Sequence, residues 1–335
     1  MSEATELASI LNAQLDRIFL ERLDRTALRG AEVGLWPAAL WDECEALGLP
    51  LLLVPEDAGG VGLSWAGAYE AFKTLGRYCV PLPIGETALA ARLLADAGLD
   101  IPSGVLTLAA ENGDNVPWAR NAGHLVLATT EAGGFRIDCI KLVPAAITPG
   151  MNMGRDPRDT VALDGLTIVQ TGHIAATGLN PVLEWGALLR SGQIAGALAA
   201  VRGLSIDYAN VRVQFGKPIR TFQAVQQSLA TLASEAAAAA VAGATAAAAR
   251  DRGVARFETA VAKIRAGESA GKGAALGHQA HGAIGFTDDY SLHDLTRRLW
   301  SWRAEYGTER YWAEMIGREA MKSGRSLWSL ITEPA

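Results

Sequence analysis

The sequence predicts a mostly helical α+β protein built from three parts, and three observations support this fold class. Residues 1–100 space their apolar residues at helical intervals between short turns, residues 101–180 hold short alternating runs, and residues 181–335 return to long helical patterns. In addition, 50% of the 335 residues are hydrophobic, so the chain can bury a large core. We therefore predict an N-terminal helical domain, a middle β domain and a C-terminal helical bundle with these boundaries.

Helices joined by turns are predicted in the first part. They span residues 7–25, 36–47, 65–78 and 85–97. Gly48 ends the second helix, since glycine closes a helical turn without strain. The loop over residues 49–63 contains a Gly-Gly-Val-Gly run, but no strand precedes it as a phosphate-binding βαβ unit requires. We therefore interpret it as a loop between helices.

The middle part carries a hairpin pattern. Residues 124–129 and 135–142 alternate apolar and other residues on either side of a glycine-containing turn at 131–134. Short runs at 160–163 and 166–169 continue the alternation, with prolines between the runs. We predict a small antiparallel β unit.

Two long helical patterns, over residues 183–211 and 222–250, dominate the third part. Gly216 and Pro218 end the first helix, because proline cannot continue it, and Thr221 is the predicted N-cap of the second. The Ala-rich middle of the second helix predicts the close helix packing found in tetramer cores.

The connection between these helices gathers Arg212, Gln214 and Phe215 at one corner. A guanidinium suits a pyrophosphate through paired charge-assisted hydrogen bonds, an aromatic ring can cover another ring, and amides can bond ribose or adenine edges. The alternative interpretation of Arg212 is a surface cation at the negative end of a helix dipole.

Composition excludes several classes of function. The 30 basic and 36 acidic residues give a net charge of −6, which argues against a nucleic-acid partner. The first residues lack the cationic start of a signal peptide, and no apolar run reaches the length of a membrane span. Cys44, Cys79 and Cys139 are scattered, as are the histidines, so we expect no metal site and a reducing, cytoplasmic setting.

The 212–226 segment and Gln279-Ala-His-Gly-Ala-Ile-Gly285 together resemble the acyl-CoA dehydrogenase family, whose patterns are Arg-x-x-Phe-Gly with a later Gln, and Gln-x-x-Gly-Gly-x-Gly. The loop over 49–63 is similar to the family's N-terminal domain, so the resemblance covers nearly the whole chain. It implies a helical domain, a middle β-barrel, a C-terminal four-helix bundle and an FAD cofactor. The residues that it places against FAD are Arg212, Gln214, Phe215, Gly216, Gln223, Gln279, Gly282 and Ala283.

The flavin-facing segment of the family pattern is missing. Ordinary members have Thr-Glu-Pro-x-Ala-Gly-Ser-Asp against the flavin ring, whereas the matching stretch over residues 106–119 is short and lacks the Pro, the Ala-Gly-Ser and the Asp. Trp118 is either the counterpart of a flavin-facing tryptophan or a packing residue, and we favour packing.

The carboxylate that serves as the base in this family is not found at its usual position in this sequence. In the family it removes the α-proton of the acyl-CoA while the β-hydride passes to flavin, and in most members it precedes Gly-Thr. Aligning on the Gly-Thr at 307–308 puts Tyr306 there, and a phenol with a pKa near 10 is a poor base. A rarer position of the base falls at Gly186. Glu305, rotated by about 100° on a helix, and Glu184 are both out of register. We therefore expect no catalytic residue in this chain, with Glu305 and then Glu184 as fallbacks, each otherwise an exposed helix carboxylate.

In this family each FAD lies at a subunit interface, with ring contacts from one chain and phosphate contacts from its neighbour. A chain that retains only the second set resembles the shorter subunit of heterotetrameric (α2β2) acyl-CoA dehydrogenases acting on steroid side-chain CoA esters. The resemblance implies a homologous partner subunit, an acyl-CoA substrate and an electron-transfer flavoprotein as acceptor. We assign packing roles to Arg297, Arg298 and Arg303. Two alternatives stay open: a self-sufficient homo-oligomer using Glu305 or Glu184, and a flavin-free structural subunit.

Overall fold

The computed structural model of the protein describes residues 3–175, 178–253 and 255–332. The helices of the first part are α1 (Glu3–Arg22), α2 (Arg25–Glu32), α3 (Ala38–Ala46), α4 (Trp65–Arg77) and α5 (Ile84–Asp96). The helix predicted over residues 7–25 is therefore wrong at its end, because Asp24 starts a new helix by accepting a hydrogen bond from the Ala27 amide (2.8 Å). The other three predicted helices are confirmed to within a few residues at each end.

The loop between α3 and α4 folds back on itself. The Gly62 amide donates to the Val54 carbonyl (2.8 Å) and the Leu63 amide to the Leu52 carbonyl (2.9 Å). A Cβ on Gly60 would collide with the Val54 backbone, so only glycine fits at that position. These backbone contacts account for the glycine-rich run as a compact loop between helices.

The middle part contains two sheets. Its strands are β1 (Leu106–Ala110), β2 (Val116–Pro117), β3 (His124–Glu131), β4 (Gly134–Lys141), β5 (Ile147–Thr148), β6 (Arg158–Val161) and β7 (Ile168–Ala175). The strand order is β1-β3-β4-β7 in one sheet and β2-β6-β5 in the other. The predicted hairpin is confirmed, with Glu131 opposite Gly134.

The prediction of an antiparallel unit is wrong for β1, because β1 pairs with β3 in parallel. Residues 111–123 connect the two strands through β2, and a crossover of this length lets the chain return in the same direction. One face of the larger sheet packs toward α5 through residues such as Val126 and Ile137, and the other contacts the smaller sheet through Leu125 and Leu127. β1 and most of β3 and β4 are therefore buried on both faces, whereas the edge strand β7 is exposed along much of its length.

The third part is the helical bundle. Its helices are α6 (Pro181–Val211), α7 (Gln223–Asp251), α8 (Arg256–His281), α9 (Leu292–Ala304), α10 (Glu309–Ser323) and α11 (Leu327–Thr332). α6, α7, α8 and α9 pack together as the four-helix bundle that the resemblance implies. Thr221 is not the N-cap of α7, since it lies in a 3₁₀ turn with its hydroxyl bonded to the Pro218 carbonyl (2.8 Å), and Phe222 takes the cap position.

α6 is the axis of the molecule. It contacts α4, α7, α8 and α9, so it is apolar around most of its circumference. Glycines let α4 approach closely, because a Cβ on Gly196 would strike the Lys73 carbonyl and one on Gly76 would strike the Gln193 backbone. With 31 residues at about 1.5 Å each, α6 is about 46 Å long, so its two ends lie far apart.

α7 is long and apolar enough to cross a membrane by length and composition alone, although charged residues such as Glu235 and Arg250 interrupt its apolar run. Its alanines raise the mean hydropathy without bulky side chains. Length and composition do not separate a core helix from a span, and α7 packs along α6 and α8 with 39% of its most apolar window buried. The rest of this Ala-rich helix surface is open in the single chain.

Candidate functional site

A cavity of about 560 Å³ opens between the two sheets, the start of α6 and the end of α9. Its apolar wall includes Leu108, Ala109, Val116, Pro117, Val182 and Leu183. Met151, Met153 and Trp300 line it too and are exposed. Its polar residues include Asn152, Arg158, Glu305 and Tyr306, and we call the cavity the cleft.

Glu305 is fixed at the floor of the cleft by two arginines. Arg158 donates from Nε and Nη2 to the two carboxylate oxygens (2.9 and 2.8 Å), and Arg190 donates from Nε to Oε2 (2.7 Å). Asn152 donates its amide to Oε1 (2.8 Å). Arg190, only 1% exposed, also bonds Glu86 of α5 (2.6 Å). The carboxylate thus joins the middle sheets to the bundle.

This environment makes Glu305 a weak proton acceptor. Burial alone would raise the pKa of its carboxyl, but the Arg158 and Arg190 guanidiniums and the hydrogen bonds outweigh burial and lower that pKa to about 2. A general base works best with a pKa near the operating pH and a lone pair directed at the substrate. Glu305 therefore has the geometry of a structural anion.

The turn after α9 differs from the helix expected through Glu305. α9 ends at Ala304, Glu305 is extended, and Tyr306 and Gly307 have positive φ of 52° and 90°. Glu305 and Tyr306 therefore line the same cleft, contrary to the prediction that Glu305 points elsewhere. The buried Lys263 holds this turn by donating to the carbonyls of Arg303 (2.7 Å) and Gly307 (2.8 Å), and burial lowers the pKa of its ammonium to about 7.

The two places where the resemblance puts a base lie against each other. A Cβ on Gly186 would collide with the Tyr306 ring, so any side chain at 186 would displace that ring. The Arg190 guanidinium lies 5.3 Å from the ring centroid. Burial raises the pKa of the Tyr306 phenol above its usual range, and its hydroxyl has no hydrogen-bond partner among the described residues. Neither position therefore holds a carboxylate.

Glu184 faces a different part of the molecule. Its carboxylate lies 3.5 Å from Arg250 of α7, whose guanidinium packs 5.6 Å from the Trp65 ring and 5.3 Å from the Trp185 ring. Burial raises the pKa of Glu184, and the nearby arginines only partly offset this. Glu184 does not line the cleft. The expectation that Glu184 and Glu305 are exposed helix carboxylates is wrong, because α6 and the end of α9 are covered by neighbouring helices and by the sheets.

The connection at the other end of α6 is a short hairpin. β8 (Val213–Gln214) pairs with β9 (Lys217–Pro218), and the two turn residues, Phe215 and Gly216, have φ of 51° and 79°. Positive φ at both central positions is the type I′ turn that joins two-residue hairpins. The turn presents the Phe215 side chain to solvent, 91% exposed.

The second predicted FAD segment ends α8 at the same end of the bundle. Gln279 lies in the last turn of α8, and Gly282 has φ 65° and ψ −144°, a conformation that favours glycine. Ala283 follows in a 3₁₀ turn. α6 and α8 run in the same direction because α7 returns between them, so both segments lie at one end, which we call the corner.

The side chains of the corner are free. Arg212, Gln214, Gln223 and Gln279 are exposed, and within the described ranges none of their side chains makes a hydrogen bond or an ion pair. An unpaired guanidinium, several amides and backbone without a Cβ at Gly282 form a donor set that fits a pyrophosphate and a nucleoside. The corner therefore fits the adenosine diphosphate half of FAD.

The corner and the cleft cannot serve one cofactor within one chain. From Leu183 in the cleft wall to Arg212, α6 rises about 44 Å at about 1.5 Å per residue. A dinucleotide held at the corner lies far from the cleft of the same chain.

The remaining predicted residues pack. Trp118 is 6% exposed and meets Trp36 edge-on with ring centroids 6.3 Å apart, and it does not line the cleft. Arg298 pairs with Asp156 (3.1 Å), and Arg297 with the buried Glu32 (2.6 Å). Arg303 bonds Glu309. These contacts agree with packing roles.

Sequence reasoning missed the polar side chains that hold Glu305, which are Arg158, Arg190 and Asn152, and Glu86 behind Arg190. Arg190 had a signal, since a cation inside an otherwise apolar helical run predicts a buried ion pair. No sequence pattern indicated the role of Arg158, because its partner Glu305 lies 147 residues away in the chain. No group of three or more His, Cys, Asp or Glu side chains that could hold a metal ion is found in residues 3–175, 178–253 and 255–332.

A helical domain, a central sheet region and a four-helix bundle together define the architecture of a flavin-dependent acyl-CoA oxidoreductase. The N-terminal domain of acyl-CoA dehydrogenases matches residues 5–100, and the C-terminal domain matches residues 179–321. Acyl-CoA dehydrogenase IpdE2 of Mycobacterium tuberculosis is 30% identical over 285 residues, which cover 81% of each chain. The chain therefore belongs to the acyl-CoA dehydrogenase family, which is FAD-dependent.

Two solved structures share the fold. The ChsE4-ChsE5 complex from Mycobacterium tuberculosis superposes with a TM-score of 0.85 at 20% identity, over 97% of this chain and 99% of that one. The Tcur3481-Tcur3483 steroid ACAD variant has a TM-score of 0.82 at 23% identity, over 96% of this chain and 100% of that one. At these identities the likeness establishes the architecture.

Proposed function

We propose that this chain is one subunit of a heteromeric acyl-CoA dehydrogenase that forms an α,β-double bond in a bulky, steroid side-chain-like acyl-CoA. In this proposal the chain holds the pyrophosphate and adenosine of FAD, and a homologous partner subunit supplies the flavin-ring cleft and the glutamate base. The observation that carries it is the contrast between a paired Glu305 and an Arg212 whose side chain has no partner among the described residues.

The residues of the corner have separate tasks in this assembly. The Arg212 guanidinium would pair with pyrophosphate oxygens, the Gln214, Gln223 and Gln279 amides would bond ribose or adenine, and Gly282 would let backbone approach the phosphates. Phe215 would cover a ring of the cofactor or of the partner surface. When bound, FAD accepts the hydride removed from the β-carbon of the acyl chain.

The partner and substrate are inferred from what this chain lacks and from its relatives. The ChsE4-ChsE5 and Tcur3481-Tcur3483 assemblies each combine two different chains, and the second is a steroid ACAD. A chain whose own cleft lacks a base fits such an arrangement, most simply as an α2β2 heterotetramer. We extend the proposal to an electron-transfer flavoprotein as the acceptor, as the family resemblance implies, and to the cytoplasm as the compartment.

One observation favours a second candidate, a self-sufficient dehydrogenase using Glu305. Glu305 lines the cleft, where the other lining carboxylate is the exposed Asp114. For it to act as a base, Arg158, Arg190 and Asn152 would have to release the carboxylate, because their hydrogen bonds occupy both oxygens. This requirement places it second.

The test is a flavin count and an assembly mass, first on the chain alone and then with its homologous partner. We expect the chain alone to carry almost no flavin and to form no active dehydrogenase. Co-expression should give a heteromer with about one FAD per pair of unlike subunits. A yellow homo-oligomer that oxidises an acyl-CoA by itself would contradict the proposal.

A further inference from the structure

We propose that Tyr208, His281 and Tyr290 form a positioning cluster that holds the two FAD-binding segments of this chain at a fixed separation. The inference rests on the proposed function, since it concerns how Arg212 and the 279–283 segment are presented to one cofactor. None of the three side chains was among the predicted contacts with FAD.

The cluster joins the ends of α6 and α8. The Tyr208 ring stacks on the His281 ring, with centroids 4.7 Å apart and planes at 29°. Tyr290, from the segment before α9, packs 5.0 Å from the His281 ring and 6.2 Å edge-on from the Tyr208 ring. Three separate stretches of chain thus meet directly behind the corner.

Hydrogen bonds fix the central imidazole. His281 Nδ1 lies 2.8 Å from the Gly277 carbonyl, which can only accept, so Nδ1 carries the proton. Nε2 is then the acceptor for the Tyr290 hydroxyl at 3.2 Å. The ring is only 4% exposed, and this burial lowers its pKa, so the neutral form with these two bonds is favoured.

Each ring is coupled to a segment of the corner by a short stretch of backbone. The Tyr208 carbonyl accepts the Arg212 amide (2.9 Å), so Tyr208 and Arg212 share the last turn of α6. His281 directly precedes Gly282, whose amide bonds the His278 carbonyl. A shift of either ring would therefore move a phosphate-binding group relative to the other segment, and such groups lose affinity when displaced.

The test measures the FAD dissociation constant of the intact heteromer by flavin fluorescence. Tyr208→Leu removes the stack and should raise that constant between about 2-fold and about 12-fold, the range of an aromatic pair. Tyr208→Phe keeps the stacked ring and should restore binding to within about 2-fold of the unmodified protein. Tyr290→Phe removes only the hydroxyl that bonds His281 and should weaken FAD by a similar or smaller factor.

Controls separate positioning from general damage. Tyr311→Leu removes an exposed ring that packs on Trp312 of α10, far from the corner, and should leave FAD affinity unchanged. The heteromer mass should be the same in all variants. Unchanged FAD affinity in both Tyr208→Leu and Tyr290→Phe would overturn the positioning cluster.

A parallel Arg212→Ala variant separates this failure from failure of the proposed function. If Arg212→Ala weakens FAD while the cluster variants do not, the corner binds FAD and the positioning inference alone is wrong. If Arg212→Ala leaves FAD bound as before, the proposed function itself is contradicted.

Discussion

The charged side chains at the two ends of α6 differ in burial and in pairing. Around the cleft at its start, Arg158 and Arg190 are buried and each pairs with the half-buried Glu305. At the corner beyond its last residue, Arg212 is exposed and has no partner among the described residues. A buried charge must be paired because desolvation is costly, whereas an exposed cation stays available to an anionic ligand. The comparison teaches that charge is left accessible at one end of the helix and is fixed in ion pairs at the other.

The largest expected effect comes from breaking the paired end. Arg190→Met leaves Glu305 and Glu86 buried near each other with less compensation, and removing one partner of a buried pair costs about 3–5 kcal/mol. Urea unfolding of the protein in its assembled state should show a loss of this size. Arg310→Met, at an arginine 88% exposed, is the matched control and should leave the free energy of unfolding unchanged. Equal stability of the two variants would mean that the buried network is not structural.

The next effect tests the open end. Arg212→Ala should raise the FAD dissociation constant of the heteromer by about 10- to 100-fold, roughly the value of one hydrogen bond from a charged group, with little change in unfolding free energy. Arg220→Ala removes an exposed arginine from the same connection and should leave FAD binding within about 2-fold. Similar losses from both variants would indicate general attraction by positive charge rather than a site at Arg212.

The smallest effect is a pH dependence at the paired end. The pKa of Glu305 is about 2 in the folded chain against an ordinary 4.5, so the unfolded chain takes up the proton first as the pH falls. The stability from this carboxylate is fully present above pH 4.5 and disappears as the pH falls toward 2. Melting temperatures from pH 6 to pH 3 should fall less steeply in Glu305→Gln than in the unmodified protein. Parallel melting curves for the two proteins would show that the pKa of Glu305 is not lowered by folding.

Local patterns carried the predictions that the structure confirms. Helix spacing gave α4 to α7 nearly in full, and the alternation around residues 131–134 gave the β3–β4 hairpin. The backbone of Phe215 and Gly216 is also set locally, by a hairpin turn of two residues that the sequence analysis did not predict.

The cleft could not be predicted because it depends on contacts between distant parts of the chain. Lys263 of another helix holds the turn at Tyr306, and Arg158 from a strand forms an ion pair with the Glu305 carboxylate. The parallel pairing of β1 is likewise a long-range choice. A helix continued through Glu305 follows from sequence spacing, but hydrogen bonds from α8 override it.

The central claim is that this chain does not supply the base, and the most direct test is turnover of the heteromer carrying Glu305→Gln. The rate is measured per bound FAD, so that lost assembly cannot imitate lost chemistry. If Glu305 is structural, the rate per flavin should stay within a few-fold of the unmodified enzyme, since a positioned base contributes about 10²–10⁴-fold. A loss of that larger size, with FAD content and assembly mass unchanged, would show that Glu305 removes the α-proton and would contradict the division of labour proposed for the two subunits.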